Sequence, residues 1–168
     1  MKRALVVLGG LALLGSTAAD LRAQTRFGVQ ASFGSDDVNF GIGGRATFSL
    51  RSLIKTPGFE GIASFDYFFP DVGGGAGDAT YWEINGDLGY TIPRVTGSVA
   101  PYVGGGLNIA HISRDVPGFP SVSDTEVGLN LLGGIKFKSR TSRLAPFVEA
   151  RIELGGGEIF VLTGGVVF

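Results

Sequence analysis

The segment Ala145-Pro146-Phe147-Val148-Glu149-Ala150-Arg151-Ile152-Glu153-Leu154-Gly155 decides how this chain is read. Val148, Ala150, Ile152 and Leu154 share one parity, and Glu149, Arg151 and Glu153 take the other. Period two over the seven residues Val148–Leu154 is the pattern of a β-strand with one apolar face and one polar face.

The same alternation recurs along the chain and predicts seven more strands. About Thr25–Gly34, Phe27, Val29, Ala31 and Phe33 oppose Arg26, Gln30 and Ser32; about Val38–Leu50, Val38, Phe40, Ile42, Ala46, Phe48 and Leu50 oppose Asn39, Arg45, Thr47 and Ser49. About Phe59–Phe69, Phe59, Ala63, Phe65 and Tyr67 oppose Glu60, Ser64 and Asp66; about Thr80–Ile92, Trp82, Ile84, Leu88, Tyr90 and Ile92 oppose Glu83, Asn85 and Asp87. About Val99–His111, Val99, Val103, Leu107 and Ile109 oppose Tyr102 and Asn108; about Thr125–Lys138, Val127, Leu129, Leu131, Ile135 and Phe137 oppose Glu126, Asn130 and Lys136. The last strand, about Ile159–Phe168, carries Phe160, Leu162, Val166 and Phe168 on one face. Leaving aside Lys138 at the very end of the sixth strand, eleven charged residues fall inside the eight strands, and all eleven lie on the polar face: Arg26, Arg45, Glu60, Asp66, Glu83, Asp87, Glu126, Lys136, Glu149, Arg151 and Glu153.

The connections alternate too. Those after the second, fourth and sixth strands carry Arg51 and Lys55, then Arg94, then Arg140 and Arg143, with no acid. The others carry Asp36 and Asp37, Asp71 and Asp78, Arg114 with Asp115 and Asp124, and Glu158. The two longest, Pro70–Ala79 and Ile112–Asp124, both belong to this acidic set, as in an even barrel with short turns at one rim and long loops at the other. A weak hairpin repeat accompanies this: Val99-Ala100-Pro101-Tyr102-Val103 is matched by Leu144-Ala145-Pro146-Phe147-Val148.

Composition agrees. The 168 residues suit one domain; 44% are hydrophobic, 17% are charged and 29 are Gly. There is too much apolar material for disorder, and the glycines lack the period of collagen. Lys2 and Arg3, the apolar run from Ala4 to Ala19 and the small residues at its end predict a cleavable signal peptide over residues 1–24, too short to be a spanning helix. With no Cys there is neither a lipid-anchored N-terminus nor a disulfide framework. No basic stripe suggests nucleic acid.

Alternation cannot by itself say which face is inside. Three features point the apolar face outward. Phe48, Tyr90, Phe137 and Phe168 form an aromatic girdle at one end of the four downward strands, with Phe33, Phe40, Tyr67, Trp82 and Phe160 towards the other. The last strand ends on alternating apolar residues. Nine glycines (28, 41, 43, 89, 104, 106, 128, 134 and 165) sit on the charged face, where a narrow interior needs small residues beside long ones. The expected fold is all-β: an eight-stranded antiparallel up-and-down transmembrane β-barrel over residues 25–168. A soluble barrel would need the charged face in water.

The end of the chain, Phe160, Leu162, Val166 and Phe168, resembles the C-terminal signal that outer-membrane barrels present to their assembly machinery. Ala100-Pro101-Tyr102-Val103-Gly104-Gly105-Gly106-Leu107, Ala145-Pro146-Phe147-Val148-Glu149-Ala150-Arg151 and Leu131-Leu132-Gly133-Gly134-Ile135-Lys136-Phe137 resemble the small outer-membrane protein β-barrel domain family, akin to OmpA and OmpX. The resemblance implies a monomer in a Gram-negative-type outer membrane, with lipid and the barrel assembly machinery as partners and no cofactor or metal. It implies a structural or surface-interaction role rather than an enzymatic one.

Within the barrel, the eleven strand charges are expected to form an interior ion-pair network that plugs the lumen, since buried charges must pair or neutralise. Seven acids against four bases leave a narrow cation-preferring pore as the alternative. A second alternative is a lipid-modifying enzyme: His111 and Ser113, with Asp124 and Glu126 across the loop, faintly resemble the triad of outer-membrane lipid A deacylases, although that family carries it nearer the chain end. Asp71–Asp78 is a single Gly-rich segment without calcium-repeat spacing and reads as a polar loop. Gly104-Gly105-Gly106 has no helix after it and is no dinucleotide motif.

Overall fold

A computed structural model describes residues 25–35, 38–70, 78–93, 97–115, 118, 120–138, 143–155 and 157–168. The expected signal peptide lies outside the described residues. Eight strands follow in order: β1 (Thr25–Gly34), β2 (Asn39–Ser49), β3 (Phe59–Phe69), β4 (Asp78–Thr91), β5 (Val99–Asp115), β6 (Val122–Phe137), β7 (Ala145–Leu154) and β8 (Glu158–Val167). Each pairs antiparallel with its neighbour, and β8 returns to β1 to close the barrel. The seam is finished by reciprocal backbone hydrogen bonds between Phe27 and Phe168.

The faces resolve as a transmembrane barrel does. Val29, Phe33, Ile42, Phe65, Leu107, Leu131 and Phe160 are among the many large apolar residues exposed on the outer wall. Water-soluble monomers rarely expose a contiguous apolar patch above a few hundred Å², and here the belt runs across all eight strands. Seven of the eleven strand charges are buried inside, so the soluble alternative is excluded.

Cross-strand register explains the glycines. Bulky inward residues face inward glycines in directly paired positions: Phe68 with Gly41, Tyr102 with Gly134, Phe147 with Gly165, Arg45 with Gly28, and Asn108 with Gly128. A Cβ at Gly41, Gly134 or Gly165 would lie 2.6–2.7 Å from the facing ring, closer than atoms tolerate. An eight-stranded lumen is only wide enough for side chains, so each large residue requires an absent one opposite.

Four features differ from the alternation pattern. The hairpin of β5 and β6 is taller than expected: most of the segment Ile112–Asp124 is strand, because the two strands continue pairing as far as Arg114 with Val122. Val38 was expected outward but is buried inside; Asn39 adopts φ 56°, and that left-handed residue breaks the alternation where β2 begins. The turn after β2 contains a single helical turn, α1 (Arg51–Ile54), which closes with Lys55 in the left-handed conformation donating its N–H to the Arg51 carbonyl. Finally, Ile62, Phe68, Leu132, Phe147 and Val161 point inward among the polar residues. All but Phe147 form part of two small apolar clusters: Val38, Phe68, Tyr81 and Val161 near the acidic-loop rim, and Ile62, Tyr102 and Leu132 nearer the other.

The wall is also uneven in height. β6 pairs with β7 only from Leu129 towards its end, so Val122–Gly128 rises above the last β7 pair, Leu129 with Leu154. On that side the upper rim, which carries the acidic connections, is notched.

Candidate functional site in the lumen

Strand parity sends the charged side chains to one axis, and the register sets which meet. In the lower half Arg45 makes a bidentate pair with Glu149 at 2.5 and 3.0 Å. The Tyr102 hydroxyl donates to the same carboxylate at 2.7 Å. Lys136 pairs with Glu60. Each base also lies on an aromatic face: the Arg45 guanidinium is 4.2 Å from the centre of Phe147, and the Lys136 ammonium 4.6 Å from that of Tyr102. Cation–π contacts in a desolvated site add to such pairs. Tyr102 and Phe147 are the equivalent aromatics of the two Ala-Pro-aromatic-Val repeats, so the sequence repeat marks two copies of one device: an inward ring, opposite a Gly, with a cation on its face.

The upper half is built differently. One guanidinium serves three carboxylates: Arg151 lies 3.1 Å from Glu153, 3.6 Å from Glu149 and 3.9 Å from Glu83. Asp66 has only neutral donors, taking both its Gln30 hydrogen bonds at 2.7 and 2.8 Å and a third from Ser32 at 3.1 Å. Asp87 accepts from Asn130, which also reaches Asn85. Glu83 is fully buried, and its nearest base among the described residues is Arg151 at 3.9 Å.

The remaining two strand charges are not in the plug. Arg26 and Glu126 are exposed: Arg26 sits at the start of β1, and Glu126 on the part of β6 that rises above its pairing with β7. Arg26 lines a lower cavity of about 250 Å³ with Arg45, Glu60 and Lys136. Glu126 lines an upper cavity of about 460 Å³ whose wall also includes Asp124, Glu153, Glu158 and Asn108. Between the cavities the lumen is filled by buried side chains, Arg151, Tyr102, Ile62 and Glu149 among the largest.

On the outer wall, Phe137 and Phe168 are exposed, and Phe48 lies over Gly61, its directly paired partner on β3. Tyr90 packs on Phe59 at 4.8 Å. Near the upper rim a second aromatic band runs through Phe33, Phe40, Phe69 and Tyr67, with successive ring centres 5.2–6.2 Å apart. Phe160, Leu162, Val166 and Phe168 alternate outward along β8 and beyond it, against buried Val161, Thr163 and Val167.

His111 belongs to this outer band. It stacks on Trp82 at 5.1 Å and shares a 2.7 Å hydrogen bond with Thr125. Asp124 and Glu126 line the inner cavity instead. The parity that puts His111 outside puts both acids inside, so these four residues do not assemble the nucleophile–base–acid chain. Among the described residues no group of His, Cys, Asp and Glu is arranged to hold a metal ion. The residues that sequence reading missed are Asn108 as a cavity-lining group and the inward apolar set; for Asn108, Phe68, Leu132, Phe147 and Val161 the signal was a glycine opposite in register, whereas Ile62 faces Thr47 and Asp87.

The fold has solved counterparts. The N-terminal β-barrel domain of Pseudomonas aeruginosa OprF superposes with a TM-score of 0.65 at 18% identity, covering 86% of this chain and 97% of that one. Neisserial surface protein A gives 0.61 at 15% identity, with 85% and 94% covered. Ail, the attachment invasion locus protein of Yersinia pestis, gives 0.53 at 15% identity, with 86% and 93% covered. No family model and no curated protein sequence matches the chain. At these identities the likeness is one of fold alone: a closed eight-stranded antiparallel up-and-down barrel.

Proposed function

We propose that this chain is an integral outer-membrane β-barrel whose role is structural or surface-interacting, carried by the connections at its acidic rim. The observation that carries the reading is the pairing of a continuous apolar outer belt with a lumen plugged by buried ion pairs. Such a body has somewhere to sit and nothing to pass through it. Residues 1–24 act as the cleaved export signal, and Phe160, Leu162, Val166 and Phe168 as the signal read by the assembly machinery. Phe48, Tyr90, Phe137 and Phe168 anchor the periplasmic interface. The protein is a monomer, since a closed barrel leaves no strand edge to pair through most of its height.

With the termini at the periplasmic rim, Ser35–Asp37, Pro70–Ala79, the tip of the β5–β6 hairpin and Gly155–Glu158 face outside. Solved neighbours whose names refer to a surface protein and an attachment protein support such a role. The acidic connections favour a partner that carries positive charge. The closed lumen disfavours the pore alternative, and the division of His111 from Asp124 and Glu126 disfavours the lipid-modifying one.

The test is fractionation with gel migration. The protein is expected in the outer-membrane fraction, and its folded form should migrate differently from its boiled form in SDS. Recovery from the periplasm with identical migration overturns the membrane reading. In planar bilayers no single-channel events above baseline are expected; discrete cation-selective events would restore the pore.

A further inference from the structure

The two rims of the barrel differ in more than the length of their connections. Residues 50–58, 92–98 and 138–144 join the strands at the lower rim, and none of them is Asp or Glu. Arg51, Lys55, Lys138 and Arg143 are exposed there. Arg26, at the foot of β1, lies beside them and donates to the Arg143 carbonyl at 2.9 Å. Among the described residues no carboxylate pairs with any of these five bases. Glu60, the acid that lines the lower cavity, is taken by Lys136.

A second observation is independent of charge. The same turns hold large apolar side chains in the open. Leu53 is 56% exposed and Ile54 38%, between Arg51 and Lys55 in α1; Leu144 is 50% exposed beside Arg143, and Ile92 is 41% exposed at the foot of β4. A soluble phosphate or carboxylate would engage the bases and leave these side chains in water. A lipid surface takes both at once, phosphate oxygens for the bases and the acyl boundary for the apolar groups. The level agrees, because these turns follow directly on the aromatic girdle of Phe48, Tyr90 and Phe137, where headgroups stand beside a membrane barrel.

We infer that the lower rim binds anionic phospholipid headgroups, with α1 as its principal contact. Arg51 and Lys55 donate to a headgroup phosphate, and Leu53 and Ile54 enter the acyl boundary next to it. This rests on the membrane reading above and adds a preference for headgroup charge at one rim. The upper rim, with Asp78, Asp115, Asp124, Glu126 and Glu158 against Arg114, has no such preference.

The experiment uses the full mature chain refolded into phosphatidylcholine vesicles that contain a minority of phosphatidylglycerol. Bromine, which quenches indole fluorescence, is carried near the head end of the chains, either by the phosphatidylglycerol or by an equal amount of the phosphatidylcholine. Overall composition is the same in both. Trp82, the only Trp in the chain, pairs with Tyr67 towards the upper rim and is the built-in control. The reporter variant Trp82→Phe/Ile54→Trp moves the indole into α1. Bromine on phosphatidylglycerol should quench the reporter at least twofold more than bromine on phosphatidylcholine, and should quench Trp82 no more. Adding Arg51→Gln/Lys55→Gln to the reporter should bring the two quenching levels together; heat-modifiable migration verifies that each variant folds. Equal quenching of the reporter by the two lipids overturns the proposal alone, as does a preference that survives Arg51→Gln/Lys55→Gln. A preference abolished by glycerol phosphate, but not by sodium chloride at the same ionic strength, overturns it in favour of a soluble phosphate site. Absence of quenching of both indoles by either lipid overturns the membrane reading and this proposal with it.

Discussion

The two halves of the lumen solve the same problem in opposite ways. In the lower half each base has its own acid and its own ring: Arg45 with Glu149 and Phe147, Lys136 with Glu60 and Tyr102. In the upper half one base, Arg151, is spread over three acids, while Asp66 and Asp87 rely on neutral donors. The two halves meet at Glu149, which Arg151 also approaches at 3.6 Å, but they balance charge differently. Matched pairs close the lower half; the upper half carries surplus negative charge towards a cavity. Removing a charge should then be harmful below and nearly free above.

The largest effect is expected from Arg45→Ala. It leaves Glu149 buried without its bidentate partner, a loss of about 3–5 kcal/mol in urea unfolding from micelles. The paired replacement Arg45→Met with Glu149→Leu should recover part of that loss, since both desolvated charges go together, while the Tyr102 hydroxyl loses its acceptor and Arg151 one of its carboxylates. If the single variant unfolds like wild type, the lower half is not held by matched pairs.

Next come changes that test the two levels from outside. Leu131→Arg, in the middle of the exposed belt, should cost about 2–4 kcal/mol in folding from urea into lipid vesicles. Val127→Arg, on the part of β6 that rises past β7, should cost about 0–1 kcal/mol. Equal penalties would mean that the belt does not follow the height of the wall.

A smaller loss is expected at a paired glycine. Gly134→Val drives a side chain into the Tyr102 ring and should cost about 1–3 kcal/mol. Its neighbour Gly133 has nothing nearer than the Tyr102 carbonyl oxygen at 3.9 Å, so Gly133→Val should be tolerated. The comparison is read from the two urea midpoints.

The smallest effect is expected at Glu83. It is fully buried, and its nearest base among the described residues is Arg151 at 3.9 Å, so Glu83→Gln removes a surplus charge and keeps the shape. Its stability should stay within about 1 kcal/mol of wild type, on the stabilising side. A loss as large as that of Arg45→Ala would erase the distinction between the halves.

Alternation made the strands legible because through their middles charge falls on one parity; only at the strand ends do Asp78, Asp115 and Glu158 take the other. Glu149, Arg151 and Glu153 are legible as inward residues as soon as Val148 and Ile152 are read as outward. The inward apolar residues were not legible in this way. Phe147 shares its parity with Glu149, and Phe68 with Asp66, so polarity alone treats them as noise. What identifies them is their cross-strand partner, a glycine 18 or 27 residues away in sequence for Phe147 and Phe68 respectively, and register is not visible in one strand. The height of the β5–β6 hairpin was hidden for a related reason: Ile112–Asp124 is polar enough to read as loop, and pairing rather than composition extends it. The cavity followed from both, since its floor is Asn108 and its wall the extended hairpin.

The seam between β1 and β8 has a consequence in time. Seven of the eight pairings join strands adjacent in sequence and can form while the rest of the chain is still unfolded. The eighth joins Phe27 to Phe168, across almost the whole described chain. Loop-closure entropy grows slowly with length, but it must be paid before contacts at that range repay it. Zipping the hairpins is therefore local and fast, whereas closing the circle is one late, all-or-none event. Until it happens, β1 and β8 both expose unpaired backbone, and the half-finished sheet is open to any other strand that arrives first.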